Sequence, residues 1–387
     1  MVKKHLLKKG IACLLSVAMV LTGTGGIPGG TKTVSAAEAG TQLTDNDIKD
    51  LYQNKSNSRV TVHDPSVIKA NDGKYYIHGT QQGFATTDDL VDWTQSEVKY
   101  AKELENIFAD EKESCNVDAY FRAYGKDDGT KWEVPGNLWA PDIIYNPDMG
   151  KYCMYLSLNG KCWNTAVVLL TSDNINGPFE YAGPVIFSGF TDGNVTVENG
   201  AGGNTNVQNA KYTNTDLKKV LDACGSNIDN TDTDGDGLPD RYEGKIVNSK
   251  GMDDLINNTY GVYFPHAIDP SVFYDESGKL WMTYGSWSGG IYILELDGNT
   301  GLRDYSKSYD LTYSNPGNAG TITSDPYFGK KIAGGFYVSG EGPYIEKIGK
   351  YYYLFMSYGF YDPTGGYEMR IFRSESPDGP YVDSNNV

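Results

Sequence analysis

The sequence predicts an all-β chain built as a β-propeller, and three observations predict it. Tyr, Gly and Trp number 30, 46 and 6 among 387 residues. The apolar runs are short and alternating, separated by Gly/Asp/Asn turns, as half-buried pleated strands require, and no long stretch follows a helical period. One plan also recurs four times: an acid with a nearby Pro, an apolar strand, a Gly-Lys turn and an aromatic-rich strand.

Taken in order, the copies are "HDPSVIKANDGKYYIHG", "APDIIYNPDMGKYCMYLS", "IDPSVFYDESGKLWMTYGS" and "EGPYIEKIGKYYYLFMSYG". Their acids are Asp64, Asp142, Asp269 and Glu341, and the turn glycines Gly73, Gly150, Gly278 and Gly349 follow by 9, 8, 9 and 8 residues. Each pair of strands is followed by a third: "GFATTDDLVDWT", "AVVLLTSDNINGPFEY", "GIYILELDGNTG" and "MRIFRSESPDGPYVD". Three or four antiparallel strands repeated around a ring make propeller blades. The first strand of each blade lines the axis, so the four acids converge at one mouth. Converging acids raise one another's pKa, a route to catalytic carboxylates. Insertions fall at about 100–136 and about 188–262, and the fourth blade uses up the remaining chain.

The first 36 residues read as a secretory signal: basic "MVKKHLLKKG", apolar "IACLLSVAMVL", and small residues for cleavage near Ala36 in "TVSAAEA". The apolar run is too short to span a membrane. Residues 37–59 form a linker, and 60–387 carry the propeller. The signal holds five Lys and no acid, so its removal takes the formal charge from −17 to −22. That acidity argues against nucleic acid and anionic membranes as partners and leaves neutral polymers and cations. Cys115, Cys153, Cys162 and Cys224 fit no zinc spacing; Cys153 and Cys162 flank one turn and are placed to bridge in an oxidising compartment.

Inside the longer insertion, "DTDGDGLPDRYE" meets the full pattern of a calcium loop. Asp232, Asp234, Asp236, Asp240 and Glu243 supply oxygen ligands, and Gly237 allows the sharp turn. The expected cofactor is a structural Ca2+ that stiffens the insertion.

Together "HDPS", "NLWAPDI", "IDPSVFYDESGKLWMTYGSWSGGIYILELD", "SGEGPYI" and "GGYEMRIFRS" resemble glycoside hydrolase family 43, in particular its arabinanase-like members. One "DPS" alone carries no weight; five ordered motifs in a repeat frame do. The resemblance implies a five-bladed propeller, of which four blades are present, and an inverting glycosidase acting on plant cell-wall arabinan. It implies Asp64 as general base, Glu341 as general acid, and Asp269 as the carboxylate that tunes pKa and orients groups. Inversion needs a protonated acid on one side of the glycosidic bond and a base on the other, with a water between.

Around these, Trp139 is expected to pack against sugar, Asp142 to orient groups or support a metal shell, and Arg370 and His63 to contact the substrate. His266 lies near the second Asp-Pro-Ser. The resemblance also implies an axial cation held through water and a fifth-blade His, a segment that the four repeats do not include. The expected state is a secreted monomer. Exo-acting arabinofuranosidase, β-xylosidase, galactosidase and a non-catalytic carbohydrate-binding propeller are the alternatives, and retention of all three carboxylates argues against the last.

Overall fold

The computed structural model describes residues 60–101, 138–159, 165–188, 195–199, 203–207, 217–224, 265–287, 289–310, 324–325, 327–334, 340–359 and 366–387. All lie in one compact unit, Asn57–Val387. The signal, the linker, most of both insertions and the loop bearing Asp232, Asp234, Asp236, Asp240 and Glu243 fall outside these residues.

Among the described residues, four antiparallel sheets give a four-bladed propeller arrangement. Blade one comprises β1 (Ser66–Lys69), β2 (Tyr75–Gly79), β3 (Gly83–Thr87) and β4 (Thr94–Gln95). In blade two, β5 (Leu138–Asn146), β6 (Lys151–Asn159), β7 (Thr165–Ser172) and β8 (Glu180–Ser188) pair in sequence order. The long insertion contributes a hairpin of β9 (Val195–Asn199) and β10 (Gly203–Val207), then helix α1 (Leu217–Cys224). Blade three is β11 (Ser271–Tyr274), β12 (Leu280–Ser286) and β13 (Gly290–Leu296). After a short ladder of β14 (Tyr309–Asp310) and β15 (Ser324–Asp325), β16 (Lys330–Ala333) completes that blade. Blade four has β17 (Glu341–Ile348), β18 (Tyr351–Tyr358) and β19 (Glu368–Ser374).

The first hairpins of blades one and three are the same turn. Ala70 N–H donates to Lys74 O and Gly73 N–H to Ala70 O; Asp275 and Gly278 repeat this with Lys279 and Asp275. All four turn glycines have φ between 62° and 87°, with open space around them, which glycine adopts without steric cost.

The first strands neighbour one another in order: β1 packs on β5, β5 on β11 and β11 on β17. Between the sheets lies the core. One buried cluster runs through blades one to three and takes in Val220, Leu221 and Cys224 of α1, a helix the sequence pattern had not suggested. A second joins blades three and four through Phe273, Trp281, Ile291, Ile293, Ile345, Tyr352, Leu354 and Met356. Arg303 is buried between blades two and three, its guanidinium donating to Val185 O and Tyr327 O. Cys153 is a buried free thiol against Met149 Sδ, so the bridge expected to Cys162 is not formed. No helix among the described residues is long and apolar enough to cross a membrane.

Candidate active site

Both Asp-Pro-Ser turns hold their acid in the same backbone conformation. Asp64 and Asp269 have φ of 49° and 54°, in the left-handed region that Asp tolerates better than most side chains. The carbonyl ahead of each accepts an N–H from the end of the second strand. Thr80 donates to His63 O at 2.9 Å and Gly285 to Ile268 O at 2.8 Å. The duplication is therefore a shared frame that presents one carboxylate at the entrance to each inner strand.

Glu341 reaches the same mouth by other means. A Cβ on Gly340 would lie 1.3 Å from Ser357 O, so only glycine lets β17 begin this close to β18. A bulge between Glu341 and Tyr344 follows, with Gly342 at φ 59°. The Gly342 N–H is thereby turned onto Asp269 Oδ2 at 3.2 Å. The "GEG" of "SGEGPYI" encodes a close approach, an acid and an amide donor to the neighbouring acid.

The carboxyl groups act on one another. Burial holds the Asp269 pKa well above the usual range, with Glu341 and Asp64 adding to it and the Gly342 N–H opposing. Burial likewise raises Glu341, against the Tyr367 hydroxyl; Asp64 raises it further, while His63 and Ser286 pull it down. Asp64 is the more open of the set, its side chain 39% accessible. Its Oδ2 accepts the Thr80 hydroxyl at 2.5 Å and lies 2.7 Å from His63 Nδ1. A raised carboxylic acid beside a more solvated carboxylate is the arrangement that acid–base catalysis at one bond uses.

In every blade a hydroxyl on the second strand, or just past its end in blade one, comes to this mouth, a feature the sequence pattern does not mark except by its place in the repeats. Thr80 accepts Ala140 N–H of blade two at 3.0 Å, and Ser157 of blade two accepts Asp269 N–H of blade three at 3.1 Å. Ser286 of blade three hydrogen-bonds Glu341 of blade four, and Ser357 of blade four hydrogen-bonds Tyr367. The first three links each run from one blade to the next. Their signal was in the repeats, where "IHGT", "YLS", "YGS" and "FMS" end the second strands.

Asp142 is not the blade-two counterpart of Glu341. Trp139 pairs with Ser157 as Glu341 pairs with Ser357, each followed by a bulge. Blade two turns through four residues, 147–150, and blade four through two, 349–350, so alignment on the turn glycine slips by three. Asp142 instead ties the inner strands together. Its Oδ1 accepts Ser66 Oγ at 2.6 Å and Ile143 N–H at 3.0 Å; its Oδ2 accepts Val272 N–H at 2.6 Å. Burial raises its pKa, and these donors oppose the rise.

Trp139 is half-buried and precedes Ala140, whose N–H the Thr80 hydroxyl accepts. His63 projects into solvent next to Asp64. His266 is turned inward onto Thr165 Oγ1 at 2.6 Å, and burial depresses its pKa to about 3. Arg370 is not brought to the cluster. It pairs with Met356, on the face opposite the Glu341–Ser357–Met369 row, where Glu368 and the Tyr358 ring engage its guanidinium. Among the described residues, no group of three or more His, Cys, Asp or Glu is arranged to hold a metal.

A sequence profile described as glycosyl hydrolases family 43 matches residues 57–204 and 257–387. The chain is 30% identical over 331 residues to the extracellular endo-alpha-(1->5)-L-arabinanase 2 of Bacillus subtilis, covering 84% of this chain and 50% of that protein. It is 28% identical over 335 residues to the extracellular exo-alpha-(1->5)-L-arabinofuranosidase of Cellvibrio japonicus, covering 84% and 67%. The crystal structure of the endo-1,5-alpha-L-arabinanase from Thermotoga petrophila RKU-1 superposes with a TM-score of 0.53 at 30% identity, over 84% of this chain and 53% of that one. The chain spans about half the length of the endo-acting relatives it matches.

Proposed function

The chain belongs to glycosyl hydrolases family 43, and from that premise we propose that it is a secreted hydrolase of α-1,5-linked L-arabinan that works with inversion. The observation that carries the proposal is the cluster at the mouth: Glu341 and Asp269 raised by burial and by neighbouring acids, beside the more open Asp64. Glu341 gives its proton to the leaving glycosidic oxygen as the bond to the anomeric carbon breaks. Asp64 takes a proton from the water that attacks that carbon from the opposite face. Asp269 keeps its place on the Gly342 N–H, while burial and the charge of Asp64 keep Glu341 protonated. Inversion needs the acid and base roughly 6.5–9.5 Å apart, so that a water fits between. Trp139 stands where a sugar ring would stack, and His63 orients Asp64.

The test is incubation with debranched arabinan, xylan and aryl glycosides, with products separated by chromatography and the first-formed anomer read by proton NMR. Asp64→Asn and Glu341→Gln should each abolish release; activity retained in both would overturn the assignment. The exo-acting relative favours a second reading within the class, release of sugars from chain ends. Early products of mixed length support endo cleavage, whereas a single small product from the outset supports exo.

Two further elements belong to the same proposal. The signal is cleaved near Ala36, in keeping with the extracellular names of the relatives. The loop of Asp232, Asp234, Asp236, Asp240 and Glu243 binds Ca2+, which calorimetric titration of wild type and Asp234→Ala would check.

A further inference from the structure

Tyr367 stands just before β19, outside the strand, with about 40% of its surface exposed. Its hydroxyl donates to Glu341 Oε1 at 2.7 Å. The same hydroxyl is hydrogen-bonded by Ser357, the residue that faces Glu341 across the ladder. The tyrosine hydroxyl has a single proton and gives it to Glu341, so in its bond with Ser357 it accepts and the serine donates. The direction of the relay is thus fixed: Ser357 to Tyr367, Tyr367 to Glu341.

A neutral carboxylic acid has one oxygen that carries the proton and one that only accepts. An incoming O–H needs the accepting oxygen. With the Tyr367 proton directed at Oε1, the proton of neutral Glu341 belongs on Oε2. We infer that Tyr367 is a positioning residue: it reserves Oε1 as an acceptor, so that Glu341 presents its transferable proton from Oε2. The inference rests on Glu341 being the general acid proposed above.

The experiment is Tyr367→Phe, read in two independent ways. Carbon NMR of the Glu341 carboxyl should show its titration moving to higher pH, because the lost O–H had favoured the carboxylate. On arabinan, kcat should fall roughly 10- to 100-fold, part of the 10²–10⁴ that a positioned proton donor supplies. A dinitrophenyl arabinoside, whose leaving group departs without protonation, should lose far less. Ser357→Ala should shift the titration in the same direction by a smaller amount, which keeps the inference testable if Tyr367→Phe folds poorly. An unmoved titration in a natively melting Tyr367→Phe, or equal losses on both substrates, overturns the inference. If the titration moves but wild type releases sugar from neither substrate, the positioning contact stands and the hydrolase reading fails.

Discussion

Gly340→Ala tests whether the start of β17 sets the geometry of the site. An added Cβ would lie 1.3 Å from Ser357 O, 2.3 Å from Ser357 C and 3.0 Å from Tyr358 N, all backbone atoms that cannot swing away. Carbon atoms of side chains essentially never approach closer than 3.0 Å, so β17 and β18 must part by about 1.7 Å at this end. That separation breaks the Glu341–Ser357 ladder pair, at about 1 kcal/mol for each hydrogen bond. It also carries Glu341 away from Tyr367, whose bond is 2.7 Å long. A misplacement of about 1 Å at a catalytic centre costs on the order of 10²-fold in rate.

The matched control is Gly349→Ala at the turn of the same hairpin. Gly349 has φ 62° with nothing near its missing Cβ, so the substitution adds left-handed strain of about 1–2 kcal/mol and no collision. Both variants should melt lower, by roughly 2–4 °C per kcal/mol. Only Gly340→Ala should lose about 10²-fold or more in kcat on arabinan, with Gly349→Ala close to wild type. Calorimetry and steady-state kinetics on the pair decide it. Equal activities, or a loss that tracks melting temperature in both, would refute the view that this approach positions Glu341.

Other substitutions follow from the same geometry. Thr80→Val removes the hydroxyl between Asp64 and Ala140 N–H; an unpaired buried N–H costs about 1–3 kcal/mol, so melting should drop and kcat should fall, with Thr80→Ser recovering both. Asp269→Asn should abolish activity yet raise stability. The folded pKa of Asp269 lies above its unfolded value, so its contribution is complete below about pH 4 and is lost as pH rises through the folded pKa. The variant should therefore melt higher than wild type at pH 7 and alike near pH 3. His78 shows the opposite sign. Burial lowers it to about 3, and neither ring nitrogen has a hydrogen-bond partner among the described residues. The unfolded chain takes up the proton first, so stability should fall by about 1.4 kcal/mol per pH unit between roughly pH 6.5 and 3. His78→Leu should flatten that slope in pH-dependent denaturation.

Much of the frame could be read from the repeats because each blade obeys the same local rules: alternating strands, a glycine turn, an acid at the entrance. Asp64 and Asp269 were legible for that reason, since their turn length and backbone conformation are shared. Asp142 falls out of line with Glu341 because turns of four and two residues move the glycine relative to the strand. Trp139, not Asp142, then stands where Glu341 stands. Arg370 lies on the other face of β19 from the Glu341–Ser357–Met369 row, because with period two one residue changes the face, and only the register with Met356 says which face it takes. Thr80, Ser157, Ser286 and Tyr367 carried no local mark beyond their place in the repeat. Their partners lie across blade boundaries or beyond a loop, and such contacts follow from how blades pack rather than from periodicity.

The pattern of those contacts bears on why the acids sit where they do. Three links at the mouth pass from one blade to the next: Thr80 to Ala140, Ser157 to Asp269 and Ser286 to Glu341. Gly342 returns one from blade four to blade three, and Asp142 clamps blades one, two and three just behind. No single blade holds two of the three carboxylates, so their separation is a property of blade packing. Each raised acid is a local destabilisation at neutral pH, and Asp64 and Asp269 add left-handed backbone to it. Clusters such as Phe273, Trp281, Ile345 and Leu354 behind the site offset this by burying apolar surface between blades three and four. The unfavourable terms thus gather where the first strands converge, and the apolar packing that tolerates them lies between the sheets. That division lets the mouth keep carboxylates close enough to perturb one another while the blades remain folded.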